Sequence, residues 1–218
     1  MSHSTKKDLA YDHIRRQILA KRLLPGQRIT ASQVAAEIGT SVLPVREALL
    51  SLEADRLVTI TPYVGAVVAW VSTDDILDVI RILAVLEGYA TAEAFERSRS
   101  VAHELVAVND ELRRAASEGT WARFLELNRD FHFRIFEASG NKQLIESLRI
   151  YWSQLDAMLV ATSFHALPNR TSDDVGDHAH LIRLLADRST SRLEVELAAR
   201  RHRMRTANLY AERMAEGV

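Results

Sequence analysis

The chain has 218 residues, 47% of them hydrophobic and 26% charged, which is an ordinary soluble composition with room for two modest domains. The formal net charge is −1, so a polycation is excluded and any binding of nucleic acid must use a local basic patch. Cysteine is absent, which excludes disulfides and thiolate metal sites. No apolar run approaches the length of a membrane span, and the N-terminal residues lack the apolar stretch of a signal peptide. We therefore expect a cytoplasmic protein.

The first predicted element is an amphipathic helix from Asp8 to Arg22, which the turn Leu24-Pro25-Gly26 ends. A short extended piece, Arg28-Ile29-Thr30, leads into a second helix from Ser32 to Ile38. Two predicted helices and one short extended segment therefore precede the central motif.

The central motif is a helix that follows the turn Gly39-Thr40 and ends near Ala54. Ser41 stands where an N-cap hydroxyl is expected, and Pro44 fits the first turn, where a missing N–H costs nothing. Apolar side chains recur at a spacing of three and four, which predicts one buried face; they are Val45, Ala48, Leu49 and Leu52. Two helices joined by a tight glycine turn predict a helix-turn-helix, whose second helix enters the DNA major groove.

Two β-rich runs come next, Leu57–Thr61 and Ala66–Trp70, joined by the turn Pro62-Tyr63-Val64-Gly65. A two-stranded ribbon directly after a helix-turn-helix is typical of a wing. Its tip reaches a phosphate or the minor groove, and Gly65 lets the backbone come close to DNA.

From residue 73 onward the pattern is helical throughout, so we predict two domains, a DNA-binding domain over 1–72 and a helical domain over 73–218. Gly119, Gly140-Asn141 and Phe164–Ser172 are the predicted breaks. Amphipathic helices with short links predict an antiparallel bundle. The predicted helices are Asp74–Arg99, Val101–Glu118, Thr120–Ser139, Lys142–Thr162, Asp174–Arg188 and Ser191–Ala215.

The first 70 residues resemble the winged-helix domain of GntR-family bacterial transcription regulators, with nearly the family's spacing throughout. The resemblance implies that Arg46 reads DNA, by gripping guanine or a phosphate, and that Ser41 and Gly65 supply the capping hydroxyl and the wing glycine. Family positions that are often Arg and Thr are here Val42 and Leu43, which contact thymine methyls but cannot grip phosphates. Ser32 stands where some members are basic, and we place it and Arg28 in the DNA-binding set too. The resembling segments are Leu24-Pro25-Gly26, Pro44–Leu49, Leu52-Glu53, Leu57-Val58 and Pro62–Gly65.

The helical part resembles the FCD effector domain of the FadR-like subfamily, in the segments Ile80–Glu87, Asn128–His132 and Ala138–Asn141. Histidines from separate helices that meet in a bundle core are typical ligands of a divalent metal such as zinc, nickel or manganese. The resemblance implies a metal site formed by a carboxylate, a histidine four residues after it, and one histidine from each of two later helices. These positions are Asn128, His132, His178 and His202, with Asn128 where metal-binding relatives carry Asp.

Two details of this site are open from the sequence. The spacing between His178 and the leucines that follow it is that of the family, whereas His180 has the family's separation from His202. We favour His178 as the metal ligand. Arg81 lies among apolar residues on the first bundle helix, where a guanidinium usually has a carboxylate partner, which is an effector, Glu87 or another internal acid. The predicted effector site therefore contains Arg81 and the three histidines.

Together these features predict a homodimeric transcription regulator, a repressor, which binds a palindromic operator and responds to a small carboxylate-bearing metabolite. Three neutral imidazoles leave the charge of a divalent metal uncancelled, and an anionic effector can complete its coordination. The alternatives are a helical-bundle metalloenzyme and a structural DNA-binding protein without an effector. Against the enzyme, the chain has no Glu-x-x-His or His-Glu-x-x-His pairing.

Overall fold

The computed structural model of the chain describes residues 5–98, 100–161 and 171–215. These residues form nine helices and three short strands, and they fall into two compact units. The first unit contains the chain up to Ile76 together with a segment that begins at Trp152, and the second contains Leu77–Tyr151 and the helices from Thr171 onward. The functional boundary between residues 72 and 73 stays a prediction.

The first unit contains a winged helix-turn-helix. Its core is a single buried apolar cluster to which the helices contribute Ile14, Val45 and Leu52. The elements are α1 (Lys6–Leu19), β1 (Arg28–Ile29), α2 (Ala31–Glu37), α3 (Val42–Ala54), β2 (Val58–Thr61) and β3 (Gly65–Val68).

The ends of α1 follow from local chemistry. Thr5 and Asp8 form a capping box at its start, in which each side chain accepts a hydrogen bond from the backbone of the other. The helix ends at Leu19, three residues before the predicted Arg22, because Lys21 turns into the left-handed region with φ 53°.

The wing is part of a three-stranded antiparallel sheet in the order β1-β3-β2. The extended piece predicted at Arg28-Ile29 is a strand in its own right, in which Arg28 pairs with Val67 and Ile29 with Ala66. The pairing holds the residues just before α2 against the wing, so that the sheet fixes the wing relative to the helix-turn-helix.

The second unit is a bundle of helices in which α5 packs against α6 and α8, and α8 packs against α9. Gly88 in α4 allows a close approach to α9, because a Cβ atom there would lie 2.5 Å from Cγ of Arg200. After the wing, the described residues contain no further strand, as predicted. The helices after the wing are α4 (Thr73–Arg97), α5 (Val101–Glu118), α6 (Trp121–Ala138), α7 (Lys142–Ala161), α8 (Thr171–Ala186) and α9 (Arg192–Ala215). The first residues of α4, up to Ile76, and the part of α7 from Trp152 onward belong to the first unit.

Most of the predicted break at Phe164–Ser172 lies outside the described residues, and α8 begins at Thr171, three residues before the predicted Asp174. None of the described helices is both long enough and apolar enough to cross a lipid bilayer.

Candidate functional sites

Helix α3 buries one face and exposes the other. Its buried side chains are the four predicted, so Arg46 lies on the exposed side. Ser41 has the extended backbone of an N-cap residue, but its hydroxyl makes no capping hydrogen bond, and the predicted capping role of this side chain is therefore wrong. The backbone of Ser41 has the N-cap geometry, with φ −86° and ψ 164°, so the difference from the prediction is confined to the orientation of the side chain.

Arg28, Arg46 and Gly65 line one open cavity of about 430 Å³ between α3 and the wing. Gly65 has φ +96°, and a Cβ atom there would lie 3.5 Å from Nε of Arg28, so the glycine suits both the turn and the arginine. Two guanidinium groups beside an open groove are donors for phosphate or for a base edge. The structure thus brings three of the predicted DNA-binding residues together.

The guanidinium of Arg46 has no ion-pair partner within the described part of the chain. Glu53, a partner considered from the sequence, instead accepts a hydrogen bond from the backbone N–H of Ile60 at 2.7 Å. That bond ties the end of α3 to strand β2. Arg46 is consequently available to a ligand, while Glu53 fixes the wing.

The remaining predicted DNA-binding residues lie near the start of α2 and α3. Ser32 and Ser41 are exposed, Leu43 has 66% of its surface accessible, and Val42 is half-buried. Tyr63 at the tip of the wing, which was not among the predicted DNA-binding residues, is fully exposed and has φ 66°. The only signal for it was its central place in the turn between the two strands.

The second site lies inside the helical bundle, where α6, α8 and α9 contribute His132, His178 and His202. The three imidazoles are 4%, 0% and 6% exposed, and their ring centroids are 4.9–5.1 Å apart. Phe131 stacks on His178 with the centroids 4.0 Å apart. His180 is exposed, so the structure places His178 in the cluster and leaves His180 outside it.

The three histidines bring ligand nitrogens together, and the spacing of one pair matches that of two ligands on one metal ion. One nitrogen atom from each lies within 4.8 Å of the others, and Nε2 of His132 is 3.2 Å from Nε2 of His202. Two nitrogens bound to one metal at about 2.0–2.1 Å are roughly 2.9–3.4 Å apart for ordinary coordination angles. Within the described residues no carboxylate belongs to this group.

Asn128 is half-buried one helical turn before His132 on α6. Asp130, the neighbouring carboxylate, pairs with Arg134 at 2.9 Å on the surface. Asp130 is thus engaged at the surface, and the amide of Asn128 stays the predicted oxygen ligand.

Asp177 lies at the site but was not among the residues predicted from the sequence. Its Oδ2 accepts a hydrogen bond from Nδ1 of His202 at 3.3 Å, and its Oδ1 accepts one from Arg205 at 2.7 Å. Burial acts to raise the pKa of Asp177, but the hydrogen bond to His202 and the charge of Arg205 outweigh it, so the pKa is lowered. The carboxylate is thus held in its charged form directly behind one histidine.

Arg81 does not lie in the apolar setting that its sequence neighbours predicted, and its role in effector binding stays a prediction. Arg81 is exposed and pairs with Asp78 at 2.8 Å, because it lies on the solvent side of α4. The buried guanidinium is that of Arg203 on α9, whose Nε and Nη2 donate to Glu87 at 2.9 and 2.5 Å. Nothing in the sequence around Arg203 distinguished it from the other arginines of α9.

A winged helix with arginines beside its groove, followed by a separate helical unit with a buried histidine site, defines a DNA-binding regulator with a sensor domain. Comparison with family models gives the same result. The model for bacterial regulatory proteins of the gntR family matches residues 6–68, and the FCD domain matches residues 78–207. The chain belongs to the GntR family of transcription regulators and carries an FCD effector-binding domain; it is not an enzyme.

Named relatives and solved structures agree with this assignment. The chain is 29% identical to the Nta operon transcriptional regulator of Aminobacter aminovorans over 166 residues, which cover 75% of this chain and 76% of the relative. It is 27% identical to the regulator McbR of Escherichia coli, with 71% of each chain covered. The solved structure of E. coli McbR/YncC has the same fold, with a TM-score of 0.72 and 21% identity over 96% of this chain and 99% of the other.

Proposed function

We propose that the chain is a homodimeric repressor that binds a palindromic operator and responds to a small carboxylate-bearing metabolite at a metal held by the buried histidines. The observation that carries the proposal is the group of three buried imidazoles with nitrogens within 4.8 Å of one another. Residues 1–72 bind DNA in this proposal, and residues 73–218 bind the effector and the second subunit. An effector that prefers one arrangement of the sensor domain changes DNA affinity by its differential binding to the two states.

The DNA-reading role of Arg46 is supported by its position in the groove beside Arg28 and the wing. A bidentate arginine–guanine contact contributes about 1–3 kcal/mol of discrimination. We expect Arg46→Ala to weaken binding to a fragment of the promoter of its own gene by at least 5-fold, measured by fluorescence anisotropy at fixed salt, from ~1 kcal/mol per site. The control is Arg113→Ala, since Arg113 is an exposed arginine of α5 paired with Asp110. Equal affinity of the Arg46 variant and the control would contradict the assigned role.

The proposed metal ligands are His132, His178, His202 and the amide oxygen of Asn128. A metal bound there supplies a positive centre that attracts a carboxylate ligand. Because a carboxylate is a stronger ligand than an amide, Asn128→Asp should raise zinc affinity in a chelator competition assay. His180→Ala is the control, because His180 is exposed and outside the cluster. The metal site is refuted if wild-type protein and the Asp variant both fail to bind zinc, nickel and manganese.

The response to an effector has its own test. His132→Ala combined with His202→Ala should leave DNA binding by the ligand-free protein intact and abolish the shift in DNA affinity that a set of small mono- and dicarboxylates causes in the wild type. A double variant that still responds to the same acid would remove the histidine site from the effector mechanism.

Exposed apolar side chains on two helices support the homodimer. Val85 and Tyr89 of α4 and Leu197 of α9 have 50%, 42% and 40% of their surfaces accessible. Exposed large apolar side chains are candidates for an interface, and a palindromic operator requires a second copy of this chain. Val85→Glu should shift the protein towards monomer in sedimentation velocity, whereas Val106→Glu, at a similarly exposed valine of α5, should not. A dimer that tolerates both changes equally would place the interface elsewhere.

A further inference from the structure

The carboxylate of Asp177 stands directly behind the histidine site. It lies on α8 immediately before His178, yet its hydrogen bond goes to His202 on α9. The contact is made to Nδ1 of His202, while Nε2 of the same ring is 3.2 Å from Nε2 of His132. Asp177 therefore touches the outer edge of the ring whose inner edge faces the other imidazoles.

This arrangement fixes the tautomer of His202. With a carboxylate oxygen at its Nδ1, a neutral His202 ring carries its hydrogen on Nδ1, which leaves the lone pair of Nε2 facing the centre of the cluster. That lone pair is what a metal ion needs from an imidazole. Nε2 of His132 lies 3.2 Å from this nitrogen, so the two rings face the same point from neighbouring helices.

Asp177 is itself held in place. Its second oxygen accepts a hydrogen bond from Nη1 of Arg205 at 2.7 Å. Arg205 lies on α9, one turn after Arg201 and close to His202. Asp177 has 18% of its side chain exposed, whereas Arg205 is 61% exposed. The arginine thus covers the carboxylate from the solvent side and restricts it to the orientation that His202 requires.

We propose that Asp177 is the positioning residue of the histidine site, and that it supplies from behind His202 the negative charge which Asn128 does not supply at the metal. The inference rests on the metal site proposed above. A carboxylate that accepts a hydrogen bond from a metal-binding imidazole orients the ring and makes it a stronger ligand, and removal of such a partner typically costs about 10–100-fold in metal affinity. The site thereby combines a neutral ligand set with one nearby anion.

The first measurement uses the metal-free protein. Long-range 1H–15N correlation spectra of protein labelled in histidine, recorded at alkaline pH where the rings are neutral, report which nitrogen of His202 carries the hydrogen. The signal is assigned with His202→Gln. In the wild type we expect the hydrogen on Nδ1, and in Asp177→Ala we expect a mixture of both tautomers. Arg201→Ala is the matched control, because Arg201 lines the same outer cavity as Asp177.

The second measurement is zinc affinity by chelator competition. Asp177→Ala should lower it by about 10–100-fold. Asp177→Asn keeps an acceptor oxygen of the same shape but no charge, so its affinity should fall between those of the wild type and the alanine variant. Arg201→Ala should equal the wild type. Circular dichroism of each variant shows whether the bundle is intact.

The outcomes separate this inference from the metal site itself. An unchanged His202 tautomer in Asp177→Ala overturns the positioning role, and so does an unchanged zinc affinity in a protein that binds zinc. A wild-type protein that binds no zinc refutes the metal site, and the tautomer measurement still decides whether Asp177 orients His202.

Discussion

The ion pair between Glu87 and Arg203 gives the sharpest stability prediction. Both side chains are buried, with 2% and 6% of their surfaces exposed, and the guanidinium binds the carboxylate through two nitrogens at 2.9 and 2.5 Å. Removal of one partner of a buried pair leaves a charge in a low-dielectric interior, which costs about 3–5 kcal/mol. We therefore expect Glu87→Gln and Arg203→Met each to destabilise the protein by about that amount.

The double variant Glu87→Leu with Arg203→Met removes both charges. Replacement of a complete buried pair by apolar residues is often close to neutral, so the double variant should be more stable than either single variant. The surface pair Arg113–Asp110, exposed by 61% and 53%, is the control, and Asp110→Asn should cost about 0–1 kcal/mol.

Thermal unfolding followed by circular dichroism measures all four variants. For a chain of this size 1 kcal/mol corresponds to roughly 2–4 °C, so the single variants should melt at least about 6 °C below the wild type. The reasoning is refuted if Glu87→Gln costs no more than Asp110→Asn. It is also refuted if the destabilisation of the double variant equals the sum of the destabilisations of the two single variants.

Two further predictions concern backbone packing and a helix cap. Gly88→Ala should destabilise the protein by about 1–3 kcal/mol, because its Cβ would lie 2.5 Å from Cγ of Arg200, whereas Gly176→Ala, where nothing lies within 4 Å, should be neutral or stabilising in the same melting assay. Hydrogen bonds from the side chain and backbone of Ser72 lower the pKa of Asp75. The stabilisation from Asp75 is thus complete above the ordinary carboxyl pKa and is lost as the pH falls through the lowered pKa of the folded state. Asp75→Asn should therefore reduce the fall in the free energy of unfolding between about pH 6 and pH 2, measured by urea titration at each pH. An unchanged fall in the variant would show that Asp75 contributes nothing to it.

Much of the fold could be predicted because the signals are local. The periodic apolar residues of α3 and the glycine at position 119, which ends α5 with φ 67°, depend only on neighbouring residues. Strand β1 could not be predicted as a strand, since two residues show no alternation. It exists only because Arg28 and Ile29 pair with Val67 and Ala66 far along the chain.

The histidines of the site could be predicted because the family resemblance supplies their spacing, whereas the residues that support them could not. Asp177 and His202 are 25 residues apart, and Glu87 and Arg203 are 116 apart, so neither pair has a local signal. The error at Arg81 has a related cause. Its apolar neighbour Ile82 is itself 40% exposed, and apolar surroundings in sequence therefore did not indicate a buried position.

Helix α9 couples the histidine site to the buried ion pair. Successive residues of a helix point about 100° apart, so His202 faces the other imidazoles while Arg203 faces Glu87 on α4. A rotation of α9 that displaced His202 would also separate Arg203 from its carboxylate and leave two buried charges without each other. Since separation of a buried ion pair costs about 3–5 kcal/mol, the pair restrains the ring that Asp177 orients in our proposal. In the proposed function a metal or an effector therefore meets a geometry that α9 already presents, which favours tight and selective binding over adaptation of the site.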